Sequence, residues 1–62
     1  MRVIIATSQS DGYTSVEGVW DASKYSSGDV ERILTERYRE DYGYEPEFGD
    51  HCIETHIEEV VL

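Results

Sequence analysis

The stretch SSGDVERILTERYREDYG, residues 26–43, decides the fold, because its apolar spacing fits a helix and no other element. Val30, Ile33, Leu34 and Tyr38 recur at i, i+3, i+4 and i+8, which sets them on one stripe of a helical surface. Ser26 or Ser27 supplies a capping hydroxyl, and Asp29 and Glu31 sit in the first turn, where the helix dipole favours carboxylates. Gly43 suits the left-handed residue that closes a helix, and Pro46 follows where a helix cannot continue. The spacing predicts a helix over about 28–42.

Upstream of it, residues 2–7 (RVIIAT) read as a β-branched strand, apolar on both faces. SQSDGY follows, with Asp11-Gly12 as a turn. Residues 14–20 (TSVEGVW) alternate loosely, Val16, Gly18 and Trp20 against Glu17 and Val19. The two runs predict a hairpin with a longer loop, and DASKYSSG is polar connection. Downstream, YEPEFGD reads as loop and residues 51–61 as a last strand, with Ile53, Thr55 and Ile57 on one face and Glu54, His56 and Glu58 on the other. The pair Glu58-Glu59 before Val60-Val61 points to a bulge or an end to strict alternation.

The order is therefore β-β-α-β, an α+β fold. A right-handed crossover through the helix sets the third strand beside the first. The expected sheet has order 2-1-3, all neighbours antiparallel, with the helix packed on one face. That leaves the other face uncovered and open to a partner or a second copy, so a homodimer is expected.

Sixty-two residues make one domain, residues 1–62. Such a chain buries only about 60% of the surface its unfolded form exposes. The run VIIA is too short for a signal segment or a membrane span, so a soluble, cytoplasmic protein is expected. Cys52 is the only cysteine, which rules out an intrachain disulfide and fits a reducing compartment. Opening at Met1 and ending on the apolar VVL, the chain is expected to be a complete small gene product.

Charge is the strongest compositional signal. Fourteen acids against five Lys and Arg give −9. Residues 1–39 hold six acids and five bases, a net −1, whereas residues 40–62 hold eight acids and no Lys or Arg, a net −8. Such a surface repels nucleic acid and anionic membranes and attracts cationic surfaces over roughly a Debye length. Direct nucleic-acid binding is excluded on this ground. At 100° per residue Asp29, Glu36 and Glu40 fall within about 40° of one another on the helix. Beyond them come Glu45, Glu47, Asp50 and the outward strand positions Glu54 and Glu58. These carboxylates, with the tyrosines Tyr42 and Tyr44, form the expected partner-binding surface. A plain solvation face is the competing reading. Solvation faces usually interleave cations, however, and unrelieved repulsion weakens a domain with little stability to spare.

The residues able to carry chemistry are few. Asp50, His51, Cys52, Glu54 and His56 are metal-ligand types, but His51 and His56 would diverge on a strand. Cys52 beside His51 would diverge in the same way, and Thr7, Ser8 and Ser10 have no base nearby in sequence. No enzyme activity, metal or cofactor is expected. Tyr38, Tyr42, Tyr44 and Phe48 either pad the edge of a thin core or supply aromatic contact area within the acidic rim.

The strand order, the acid-rich C-terminal part and the short reading frame resemble small phage-encoded inhibitors of bacterial defence. Anti-CRISPR and anti-restriction proteins that mimic nucleic acid are the class in question. The opening MRVIIATSQSDGYTSVEGVWD is also similar to small phage and bacterial proteins. Those begin with a strand ending in Thr-Ser (Thr7, Ser8), then a Tyr turn (Tyr13) and a Gly-Val-aromatic strand (Gly18, Val19, Trp20) before a helix. The resemblance implies a phage or mobile-element origin and a non-enzymatic inhibitor of a nucleic-acid-handling protein. Its partner would be the basic surface of a nucleic-acid-binding complex.

Overall fold

The computed structural model describes residues 1–49 and 51–61 and shows four elements. They are β1 (Arg2–Ser10), β2 (Tyr13–Asp21), α1 (Ser27–Tyr42) and β3 (Glu54–Glu59). The sheet order is β2-β1-β3, with β1 antiparallel to both neighbours and α1 on one face. The expected topology is the observed one. The shortest dimension, 17 Å, leaves room for two layers, one sheet and one helix.

Asp11 (φ 49) and Gly12 (φ 82) both take left-handed backbone, which is what a two-residue hairpin turn demands. The loop is thus the two-residue turn itself, shorter than its sequence suggests. β1 runs on through Ser8, Gln9 and Ser10, which pair with Ser15, Thr14 and Tyr13. Those residues are polar, and their ladder bonds, rather than any apolar pattern, keep them in strand.

The register between β1 and β2 slips between Ala6 and Thr7. Ala6 faces Gly18 and Thr7 faces Val16, so Glu17 is the extra residue of a β-bulge. The slip overturns the expected face assignment of β2. Val16 joins Val19 on the face away from α1, and Glu17 reaches the helix, where its Oε1 accepts a 2.8 Å bond from the Tyr38 hydroxyl. The pairing of β1 with β3 continues without a slip from Thr7↔Glu54 to Arg2↔Glu59. Of the two readings at Glu58-Glu59, no bulge forms and the strand ends at Glu59; the register shift of the sheet lies in β2.

Ser26 caps α1, its Oγ accepting from Asp29 N (3.1 Å) while Ser26 N donates to Asp29 Oδ2 (2.9 Å). This is a reciprocal capping box with Asp in the acidic position. Gly43 closes the helix at φ 78, its N–H donating to the carbonyls of Tyr38 and Arg39.

Between helix and sheet lie Ile4, Ala6, Val30, Leu34 and Ile53, with Trp20, Ala22, Tyr38 and Phe48 packed at the margin. The expected stripe is the buried one, but only Val30 and Leu34 are fully covered. Val3 is buried yet lies outside this cluster, because β1 turns it to the opposite face. Among the described residues five buried apolar side chains make this small core. Truncating Leu34 to Ala would cost about 2–5 kcal/mol, against a total stability of roughly 3–9 kcal/mol for a chain of this length.

Before β3 the chain departs from the expected strand. Ile53 N donates to Glu47 O, Gly49 N donates to Ile53 O, and His51 sits at φ 65. Left-handed backbone at His51 is incompatible with a strand, so the strand starts at Glu54 rather than at residue 51. Among the described residues no helix is long and apolar enough to cross a membrane.

Candidate functional site

The carboxylates expected to form one acidic face divide between two sides of the molecule. Asp29 is engaged in the capping box, and Arg32 lies 3.3 Å from its Oδ1. Those bonds from Ser26, with Arg32 behind them, hold its carboxyl below the ordinary Asp range. Its role is to start the helix. Glu36 and Glu40 lie exposed on the helix flank, with no Lys or Arg at ion-pair distance among the described residues.

At the C-terminal end of α1 the rings of Tyr42 and Tyr44 stack with centroids 5.8 Å apart and planes inclined by 26°. Both meet Tyr38 edge-on, at 5.1 and 6.1 Å. Tyr38 is anchored by its bond to Glu17, and burial together with that acceptor pushes its phenol up to about 12. One buried-edge ring therefore orients two outer rings, which remain 62% and 59% exposed. Glu45 lies beside them, ion-paired with Arg39. Glu47 follows, exposed, its Oε2 3.8 Å from Cys52 Sγ. Asp50 lies outside the described residues. Glu54 and Glu58 are on the other side of the sheet. Glu54 Oε2 is 3.5 Å from His56 Nε2, and Glu58 faces Val3 across the ladder.

The C-terminal acids are less solitary than their sequence implies. Arg39 reaches Glu45, and the Met1 amino group donates to Glu59 Oε1 at 3.1 Å. The first cation lies six residues away and the second at the far end of the chain.

The residues of possible catalytic or metal character do not converge. His51 and Cys52 sit in the turn ahead of β3, and His56 is on the strand. Among the described residues no three His, Cys, Asp or Glu side chains gather to hold an ion. A shallow hollow of about 380 Å³ at the edge of β3 has Glu31 of α1 and Glu54, Thr55 and His56 of β3 in its lining. It pairs a base with a carboxylate but offers as nucleophile only Thr55, whose direction along the strand alternates with theirs.

Sequence reasoning missed two features, the Glu17–Tyr38 link and the exposed valines Val16 and Val19 on the uncovered face. The link and the turning of Val16 onto Val19's face follow from the bulge. Glu17-Gly18 inside a strand pattern was the available signal, since an isolated strand glycine marks bulges. No family model matches this chain, and neither a curated protein nor a solved structure matches it.

Proposed function

We propose that this chain is a non-enzymatic binding protein of the cytoplasm that occupies the basic nucleic-acid-binding surface of a nucleic-acid-handling protein. It would thereby inhibit that protein, in the manner of anti-CRISPR or anti-restriction mimics. The observation that carries this reading is the exposed tyrosine stack at the end of α1, with Glu40, Glu45 and Glu47 near it in sequence. Arg and Lys side chains that bind phosphates also seat on aromatic faces and pair with carboxylates. Tyrosine gives large contact area at low entropic cost, which is why it recurs at binding hot spots. The net charge of −9 adds long-range attraction toward such a partner.

The test is competition. A basic partner captured on the immobilised protein should be released by double-stranded DNA and by high salt. A Tyr42→Ala, Tyr44→Ala, Glu40→Lys variant should capture none of it while keeping its circular dichroism. If DNA does not displace the partner, or the variant captures it equally, this function is wrong.

A further inference from the structure

The face of the sheet away from α1 has a pattern of its own. The register sets Asp21, Val3 and Glu58 in one row, Val19, Ile5 and His56 in the next, and Val16, Thr7 and Glu54 in the third. Read down the strands, β2 offers Asp21, Val19 and Val16, β1 offers Ile5 and Thr7 beside the already buried Val3, and β3 offers Glu58, His56 and Glu54. Val16 and Val19 are 64% and 57% exposed. An apolar column thus runs beside an acidic one, and no Lys or Arg stands in any of these rows.

We infer that this face docks one amphipathic basic α-helix of a partner, its apolar stripe on β2 and β1 and its Lys or Arg row over β3. Three strands at about 4.8 Å spacing span about 10 Å, the width of one helix. The chain's own α1 already covers the opposite face in this way, so a second helix completes a three-layer sandwich. Charge selects the occupant. A second copy stacked face to face about a two-fold axis along the strands would set the valines against the glutamates. About an axis across the strands it would set glutamates against glutamates. Either arrangement buries carboxylates with no cation opposite, which costs more than the valines return. A basic helix meets both columns at once. This inference rests on the reading of the chain as a binder of basic proteins and adds a second contact surface, on the opposite side from the tyrosines.

The probe is a synthetic helical peptide with a leucine stripe flanked by lysines, titrated into protein carrying labelled methyl groups. The Val3, Ile5, Val16 and Val19 signals should move and saturate. The double variant Val16→Thr, Val19→Thr keeps β-branched shape and should weaken binding by about tenfold or more. Glu54→Gln with Glu58→Gln should weaken it and flatten its salt dependence. The inference is overturned if the peptide moves only signals near Tyr42 and Tyr44, or moves none. It is equally overturned if a glutamate-flanked peptide binds as well. Concentration-dependent methyl shifts without peptide, together with a dimer mass in sedimentation, would assign the face to a second copy and overturn it too. Binding at the sheet face that survives the tyrosine variant, in a protein that captures no DNA-displaceable partner, would instead remove the mimic reading and leave this surface standing.

Discussion

Tyr38 ties the helix to β2 through one hydrogen bond to a carboxylate, and the bond has a sign that pH can read. Its phenol, pushed up to about 12 in the fold, starts from an ordinary value of 10.0. A group held in its protonated form by folding stabilises fully below its unfolded value and loses that contribution as pH rises through its folded one. Stability should therefore fall between about pH 10 and about pH 12. Tyr38→Phe should remove this alkaline loss and also a phenolate absorbance step near pH 12. At neutral pH the same variant should be less stable by about 1.5–3 kcal/mol, the usual worth of a bond to a charged acceptor after solvent exchange. A wild-type titration without a step that high would refute the link to Glu17. Asp29 carries the opposite sign. Its carboxyl lies below the ordinary 3.8, so its contribution is present above that value and lost as pH falls through the folded one. Ser26→Ala removes only the side-chain part of this support, since the backbone N–H of residue 26 still donates to Asp29, so it should move the acid unfolding transition toward higher pH by part of the contribution.

At the scale of elements the helix was the most legible part of the chain. Its stripe, cap and stop signals are all local, and local chemistry decides them. The strands were legible in kind but less so in extent. Ser8, Gln9 and Ser10 stay in β1 because their partners across the turn hold them, a contact that no window of sequence displays. The bulge at Glu17 had only Gly18 as a local sign, since the register slip itself is a relation between two strands. Its glycine has a second role: a Cβ added to Gly18 would lie 2.5 Å from Trp20 Cη2, because the indole lies across that position. Gly18→Ala should cost about 1–3 kcal/mol by displacing the ring. It should also change the Trp20 emission and near-ultraviolet dichroism. Gly12→Ala meets no atom within 4 Å but must hold φ 82, so it should cost about 1–2 kcal/mol by strain alone. Its tryptophan signal should stay native. If Gly18→Ala leaves that signal unchanged, the indole does not lie over the bulge.

For the whole molecule, composition made the acidic surplus legible but not its geography. A count of carboxylates carries no information about faces. Their division between the helix flank and the far side of the sheet depends on the crossover and the register. The surplus nevertheless yields a global expectation. Arg32, Arg39 and the Met1 amino group are taken up by Asp29, Glu45 and Glu59, and Glu36, Glu40 and Glu58 are among the carboxylates left without an ion pair among the described residues. Unpaired like charges raise the free energy of the compact state, and dissolved salt screens them. The melting temperature at neutral pH should therefore climb with added salt toward ~1 M, beyond which screening adds little. Glu36→Gln, Glu40→Gln and Glu58→Gln should each raise it at low salt, and the gain should vanish at high salt. Each exposed charge is worth well under about 1 kcal/mol, hence a few degrees at most in a domain this small. Glu45→Gln is the informative contrast, because it frees Arg39 from its partner while removing one negative charge. The two effects oppose, so its melting temperature should rise less than that of Glu40→Gln. Thermal melts of the four variants at low and high salt decide the matter. A melting temperature indifferent to salt, or equal gains from Glu45→Gln and Glu40→Gln, would mean that repulsion is already balanced and that the acidic surplus exacts no cost from the fold.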